Sequence, residues 1–136
     1  MASMNAPPSP ASARPLSPHL SVYRFTVTMT MSILHRITGC GLYLGGLLLV
    51  WFLLATSMDA SAFGVASAFL TSIIGRFILF GFSWALFHHA LGGVRHFIWD
   101  AGYGLETPER EWFAWGTLIG GLVLTFLVWS IGYAVR

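Results

Sequence analysis

The stretch that decides the fold is residues 87–96, FHHALGGVRH, because it places histidines in a segment apolar enough to span a bilayer. It begins within an 18-residue run, Phe77 to Val94, that contains no Asp, Glu, Lys or Arg. An ionisable side chain in such a run is costly and usually faces a protein interior, a cofactor or an ion path. The stretch therefore predicts a membrane span that carries a functional site.

Two further runs without charged side chains indicate two further spans. Ile37 to Met58 is 22 residues long, and Trp112 to Val135 is 24. About 20 residues cross the hydrocarbon core. Only 9% of the chain is charged, against about 25% in soluble domains. We therefore expect an all-α membrane protein whose three transmembrane helices form part of a heteromeric helical bundle. The G-x-x-x-G pairs Gly41/Gly45 and Gly116/Gly120 would permit close helix contacts.

The chain divides into three predicted parts. Residues 1–13 are rich in Ala, Ser and Pro and carry no charged side chain, which favours a disordered N-terminal arm over a signal peptide or a mitochondrial presequence. Residues 14–31 contain Pro15 and Pro18, which oppose a regular helix, and are predicted to lie on the cytoplasmic interface. Residues 32–136 form the three-helix anchor domain.

The charges set an orientation and exclude some functions. A net charge of +2, scattered along the chain, does not suggest nucleic-acid binding. A single cysteine, Cys40, excludes an internal disulfide and an all-cysteine iron–sulfur site built by this chain alone. Most arginines fall on the side of the N-terminus and the second connection, so the positive-inside rule predicts a cytoplasmic N-terminus. They are Arg14, Arg24, Arg36, Arg95 and Arg110, against Arg76 and Arg136 on the other side.

The first candidate site lies at the entry to the first span. Ser32, His35, Arg36 and Gly39 stand at positions i, i+3, i+4 and i+7, on one helical face. A hydroxyl and a guanidinium can hydrogen-bond the carbonyl of a quinone head group held at the interface. The alternative is that Arg36 only snorkels to lipid phosphate and Ser32 caps the helix.

The second candidate site is formed by His89, Gly93 and His96. Imidazole ligates haem iron, and Gly93, on the face of His89, removes the side chain that would obstruct a flat macrocycle. His96 follows about 10 Å along the axis as a polar anchor. His88 is turned by about 100°, so only one of the two can face the same cofactor, and Gly93 favours His89. Hydrogen bonding or a proton relay by His89 remains the alternative.

Asp100 is the acidic residue closest to these sites. It would meet Arg36 or His35 across helices at the interface, or else it is a solvated surface acid, the commoner case.

Three segments resemble one family, the cytochrome b556 membrane-anchor subunit of succinate dehydrogenase. Residues 14–23, RPLSPHLSVY, resemble its R-P-L-S-P-H-L-x-I-Y stretch. Residues 32–39, SILHRITG, resemble S-I-L-H-R-x-[ST]-G, and residues 89–100, HALGGVRHFIWD, resemble H-x-x-x-G-x-R-H-x-x-x-D. Their order and the three-span layout also match, from about Arg14 to the C-terminus. Val22 in place of Ile, and Gly104 in the loop, depart from the pattern away from the proposed sites.

The resemblance implies a role for each candidate residue in a succinate:quinone oxidoreductase. His89 is the axial ligand of haem b, and a second membrane-anchor subunit supplies the other histidine. Ser32 and Arg36 bind the quinone, while His35 and His96 lie near the haem propionates. Asp100 is a candidate for proton delivery to the reduced quinone.

The resemblance also implies the cofactors and partners. The chain shares haem b with its partner, uses ubiquinone as substrate, and carries no catalytic residue for succinate, no flavin and no iron–sulfur cluster. It is a non-flavin subunit that anchors a flavoprotein and an iron–sulfur subunit, with no complete active site of its own. The expected location is a bacterial inner membrane, in preference to the mitochondrial one. An anchor of a quinol:fumarate reductase, or a structural or assembly membrane protein without haem, are the alternatives.

Overall fold

The computed structural model describes residues 23–135, which form four α-helices. They are α1 (Val27–Met58), α2 (Ala60–Thr71), α3 (Ile73–Asp100) and α4 (Thr107–Ala134). Helices α1, α3 and α4, of 32, 28 and 28 residues, are long and apolar enough to cross a membrane. The prediction of an all-α protein with three transmembrane helices is confirmed. The expectations for the N-terminal arm and the first motif fall outside the described residues.

Helix α1 begins at Val27, ten residues before the uncharged run that predicted the first span. Thr26 is its N-cap, and the Thr26 hydroxyl accepts a hydrogen bond from the main-chain nitrogen of Met29 at 3.4 Å. Because Thr26 caps the helix, the last residues of the predicted interfacial segment, 27–31, are helical. The boundaries of that segment stay a prediction. Ser32 lies in the second turn, so the alternative that Ser32 caps the helix is wrong.

The connection between the first two spans contains a helix that the hydropathy pattern did not predict. Helix α2 is bounded by two capping side chains: Asp59 Oδ1 accepts from Ala62 N at 2.8 Å, and Ser72 Oγ accepts from Gly75 N at 3.1 Å. Ser72 both ends α2 and starts α3. A Cβ atom at Gly75 would overlap the main chain of residues 69–70, so this corner requires glycine.

The connection between α3 and α4 is short and closed by side chains. Gly102 and Gly104 adopt φ angles of 82° and 70°, which favour glycine, and the Trp99 indole N–H donates to Gly104 O at 3.0 Å. Helix α4 then begins at Thr107 with Pro108 in its first turn, where proline is preorganised for a helix. The connection is therefore confined to residues 101–106.

The transmembrane helices meet at small residues and leave most large side chains on the outside. Helix α3 contacts the other three helices. An exposed apolar surface is normal where lipid is the solvent, because close packing rather than hydrophobic burial holds the helices together. The buried apolar side chains among the described residues are Met31, Ala55, Ala66, Ala85 and Ala114.

Each G-x-x-x-G pair contributes one residue to contacts within the chain. Gly45 lies against the ring of Phe82, and Gly120 lies against Leu91, with a Cβ at Gly120 reaching the Leu91 Cδ1 at 2.9 Å. A Cβ atom on the other member of each pair would meet no described residue within 4 Å. Those two, Gly41 and Gly116, are free to face lipid or another chain.

Candidate functional site

The second candidate site forms around His89, which α3 directs toward α1. His89 Nδ1 lies 3.1 Å from the main-chain oxygen of His35 and 3.5 Å from the hydroxyl of Thr38. A carbonyl oxygen only accepts, so Nδ1 carries the hydrogen and, in the neutral ring, Nε2 keeps its lone pair. A histidine held in this tautomer by a carbonyl is the arrangement that orients a metal-ligating imidazole.

His35 makes the reciprocal contact. His35 Nε2 lies 3.3 Å from the main-chain oxygen of His89, and the two rings stack with centroids 3.8 Å apart and planes inclined by 12°. Each ring N–H thus donates to the main chain of the other residue. The Thr38 hydroxyl also donates to the His35 oxygen, at 3.0 Å. The pair therefore fixes the orientation of His89 relative to α1.

Two glycines make this exchange of rings sterically feasible. A Cβ atom at Gly39 would lie 3.0 Å from Cε1 of His89, and a Cβ at Gly92 would overlap the ring of His35. Each histidine ring thus lies against a glycine of the opposite helix. Gly39 belonged to the predicted face of α1, but the roles of Gly92 and Thr38 were missed. The signal was Gly92 itself, one turn after His89.

Gly93 has the open environment that the haem hypothesis requires. A Cβ at Gly93 would meet nothing within 4 Å among residues 23–135. A groove of about 320 Å³ also runs between α1 and α3, lined by Gly41, Gly81 and Ala85 among others. Ala85 lies one turn before His89 on the same face of α3. The free Nε2, the open glycine and this small-residue groove together fit a flat apolar macrocycle.

His96 lies at the opposite end of His89 from that groove. Its ring packs edge-on against His35, with centroids 5.6 Å apart, and against Trp99 at 5.3 Å. His96 is exposed. The structure therefore brings His35, His89 and His96 into one cluster whose polar end lies toward the α3–α4 loop.

His88 is directed to the other side of α3. Only 1% of its surface is exposed, and its Nδ1 lies 3.3 Å from the main-chain oxygen of Thr117 on α4. The ring stacks on Trp84 at 5.4 Å, and Gly121 approaches the His88 backbone, with a Cβ there 3.1 Å from Cα. These contacts assign His88 to the packing of α3 on α4.

The remaining predicted residues are exposed. Ser32 and Arg36 lie one turn apart on α1, on either side of His35 in sequence. Asp100 is the last residue of α3 and is also exposed. The structure therefore places Ser32 and Arg36 beside the histidine cluster on α1, but it does not join Asp100 to that cluster.

The fold and this site define a class, that of polytopic membrane subunits with an imidazole oriented inside the helical bundle. The family model described as the succinate dehydrogenase/fumarate reductase transmembrane subunit matches residues 10–129. The chain belongs to that family. The family places the protein in a membrane, which agrees with its three spanning helices.

Individual relatives agree with this assignment. The chain is 43% identical over 114 residues to the succinate dehydrogenase cytochrome b556 subunit of Paracoccus denitrificans, covering 84% of this chain and 88% of the relative. It is 35% identical over 116 residues to the subunit of that name from Rickettsia felis, covering 85% and 90%. It is 34% identical over 124 residues to the succinate dehydrogenase cytochrome b560 subunit of Reclinomonas americana, covering 87% and 85%. The resemblance seen in the three motifs is confirmed.

Proposed function

We propose that this chain is the cytochrome b membrane-anchor subunit of a succinate dehydrogenase. It helps to bind haem b and ubiquinone, and it passes electrons from succinate oxidation to the quinone. The observation that carries the proposal is the hydrogen bond from His89 Nδ1 to the main-chain oxygen of His35, 3.1 Å long. That bond leaves Nε2 of an intramembrane histidine available to a metal.

His89 is the proposed axial ligand, and this chain supplies half of the haem site. His88 is engaged with Thr117, so it is not the second ligand, which comes instead from the other membrane-anchor subunit. His35 and His96, at the polar end of the cluster, are placed to donate hydrogen bonds to the propionates. The bound haem supplies one-electron redox chemistry, while the protein orients the imidazole and excludes water.

Ser32 and Arg36 are the proposed quinone-binding residues. Both are exposed at the same end of α1 as His35, so an incoming head group can reach them from the membrane interface. The Arg36 guanidinium donates to a quinone carbonyl and stabilises the negative charge that develops on it during reduction, while the Ser32 hydroxyl fixes the ring. Asp100, exposed at the end of α3, is proposed to exchange protons between water and the reduced quinone.

The chemistry on succinate belongs to partner subunits in this proposal. A flavoprotein oxidises succinate and an iron–sulfur protein transfers the electrons, both on the cytoplasmic side, where we also place the N-terminus. The chain carries neither of those cofactors and contributes attachment, haem ligation and quinone binding. The proposed location is a bacterial inner membrane.

Copurification tests this function against its alternatives. The tagged chain is extracted from its own membranes in mild detergent, its partners are identified, and the spectrum is recorded before and after reduction. A flavoprotein, an iron–sulfur protein, a second small membrane protein and a reduced b-type haem band are expected. A haem-free preparation without these partners would instead identify a structural or assembly protein. Comparing succinate oxidation with fumarate reduction by quinol in the same preparation separates the two enzyme directions.

A further inference from the structure

Arg95 is a buried cation whose hydrogen-bonding capacity is not met within the described part of the chain. The residue is 4% exposed, and its Nε and Nη1 atoms are buried without a hydrogen-bond partner among the described residues. The guanidinium carbon lies 4.9 Å from the centroid of the Trp99 ring. The ring attracts the positive charge but offers these N–H groups no oxygen. A buried, unpaired charge is costly, so we expect an anionic hydrogen-bond acceptor next to Arg95.

A cavity next to Arg95 has room for such an acceptor. It has a volume of about 220 Å³, lies between α3 and α4, and is lined by Arg95, Val94, Ile98, Phe113 and Gly116 among others. The hydroxyl of Thr117, on the wall of the cavity, already donates a hydrogen bond to Ala114 O at 2.9 Å. The Arg95 cavity therefore combines one cation with an otherwise apolar wall, which suits an amphiphilic anion.

The Arg95 cavity is separate from the proposed haem site. At about 100° per residue, Val94 and Ile98 lie roughly 140° and 180° around α3 from His89. The cavity thus opens on the far side of α3 from the histidine cluster. Val94 is 53% exposed, so the mouth of the cavity faces outward from the three helices.

We propose that the Arg95 cavity binds one anionic phospholipid. The phosphate accepts hydrogen bonds from the Arg95 guanidinium, whose fork geometry matches phosphate oxygens, and an acyl chain lies along Val94, Ile98 and Gly116. Rotation of the guanidinium toward the cavity that it already lines brings its nitrogens to the phosphate. Arg110, in the first turn of α4, also has a buried Nε without a partner among the described residues. This second cation, with its buried Nε, lies at the same end of the helix pair as the exposed carboxylates of Asp100, Glu106 and Glu109. Because solvent screens those exposed charges, the buried guanidinium groups decide the preference for an anionic over a zwitterionic head group.

The first experiment measures retained lipid in the assembled complex. The complex is reconstituted in vesicles of equal phosphatidylglycerol and phosphatidylcholine, re-extracted in mild detergent, and analysed by native mass spectrometry. We expect Arg95→Gln to retain one phosphatidylglycerol fewer than the unmodified complex. The matched control is Arg24→Gln, which removes an exposed arginine that precedes α1 and leaves the count unchanged. Equal retention by the two variants would refute the proposal.

The second experiment keeps Arg95 and does not depend on the folding of a variant at that position. A photo-crosslinking residue replaces the exposed Val94, and another replaces the exposed Val123 on α4 as control. In the same vesicles we expect phosphatidylglycerol adducts at position 94 to be enriched about fivefold over phosphatidylcholine adducts, the ratio expected for one basic residue at an interface. No enrichment is expected at position 123.

Two outcomes of the second experiment would overturn the lipid assignment. Adducts at position 94 to another subunit would show that a protein group fills the cavity. In the other outcome, excess inorganic phosphate abolishes the enrichment of phosphatidylglycerol at position 94, while the summed yield of the two lipid adducts stays the same. That result would show that the cavity binds the free anion. Persistence of the enrichment under those conditions supports the phospholipid.

Discussion

His35 and His89 exchange hydrogen bonds across α1 and α3: each ring nitrogen lies within 3.3 Å of the main-chain oxygen of the other residue. The proposed haem ligand, His89 on α3, is therefore oriented by a main-chain oxygen of another helix, α1, and not by a side chain of its own helix. A change in the packing of α1 against α3 therefore changes the orientation of His89 directly.

Substitution of the two adjacent histidines should have different effects. His89→Ala removes the proposed ligand, so we expect loss of the b-type haem band in the assembled complex. His88→Ala should keep the band but lower the thermal stability, because the Thr117 oxygen loses its donor, at a cost of about 1–3 kcal/mol. Reduced spectra and thermal unfolding of both complexes check this. A normal haem band in His89→Ala, with loss in His88→Ala, would reverse the assignment.

A methyl group at Gly39 should disturb the ligand. The Cβ of Gly39→Ala would lie 3.0 Å from His89 Cε1, so the ring must shift. Overpacking of this kind costs about 1–3 kcal/mol, or roughly 5- to 150-fold in the haem dissociation constant. Gly46→Ala, on the same helix and with nothing within 4 Å of its Cβ, is the control. Equal haem affinity in the two variants would show that the contact between Gly39 and His89 does not matter for binding.

A large side chain at Gly93 should block the haem without disturbing the chain's own packing. No atom of the described part of the chain lies within 4 Å of a Cβ at position 93, so Gly93→Leu should insert and fold normally. We expect its haem-to-protein ratio to fall steeply, while Gly132→Leu, at an equally open glycine of α4, keeps a normal ratio. If Gly93→Leu binds haem as well as the control does, the macrocycle does not lie beside Gly93.

The chain alone should retain haem poorly, because the proposed function assigns it a single haem ligand, His89. Expressed without other membrane subunits and titrated with haem, it should bind weakly and give no bis-histidine spectrum. Size-exclusion chromatography must accompany the titration, since two copies could supply one histidine each. Tight six-coordinate binding by the monomer would contradict the shared site.

Arg36→Leu should slow quinone reduction selectively. Loss of one charged hydrogen bond costs about 1.5–3 kcal/mol, or roughly 10- to 150-fold in turnover, and Ser32→Ala should cost less because its bond is neutral. Succinate oxidation with a soluble acceptor that bypasses the quinone should stay near normal in both. Equal slowing of both assays in an intact complex would argue against a quinone role, and no slowing would leave Arg36 as a snorkelling anchor.

The sequence predicted the three spans because uncharged apolar runs of about 20 residues are typical of transmembrane helices. It did not predict α2, since the caps at Asp59 and Ser72 are single side chains that hydropathy does not weigh. The candidate site residues stay a prediction. His89 was preferred to His88 through Gly93, and the structure shows that the two rings have different surroundings. The exchange between His35 and His89 was not predicted, because it depends on how α1 and α3 align, which no spacing within one helix reveals.

The contact between Gly45 and Phe82 has a consequence for biogenesis. It joins α1 to α3 some 10 Å from the histidine pair, at six residues along α1 from Gly39, so two separate contacts set the alignment of these helices. Both contacts join protein atoms of the same chain. We therefore expect a newly inserted chain to align α1 with α3 before the proposed haem and the proposed second membrane subunit are added.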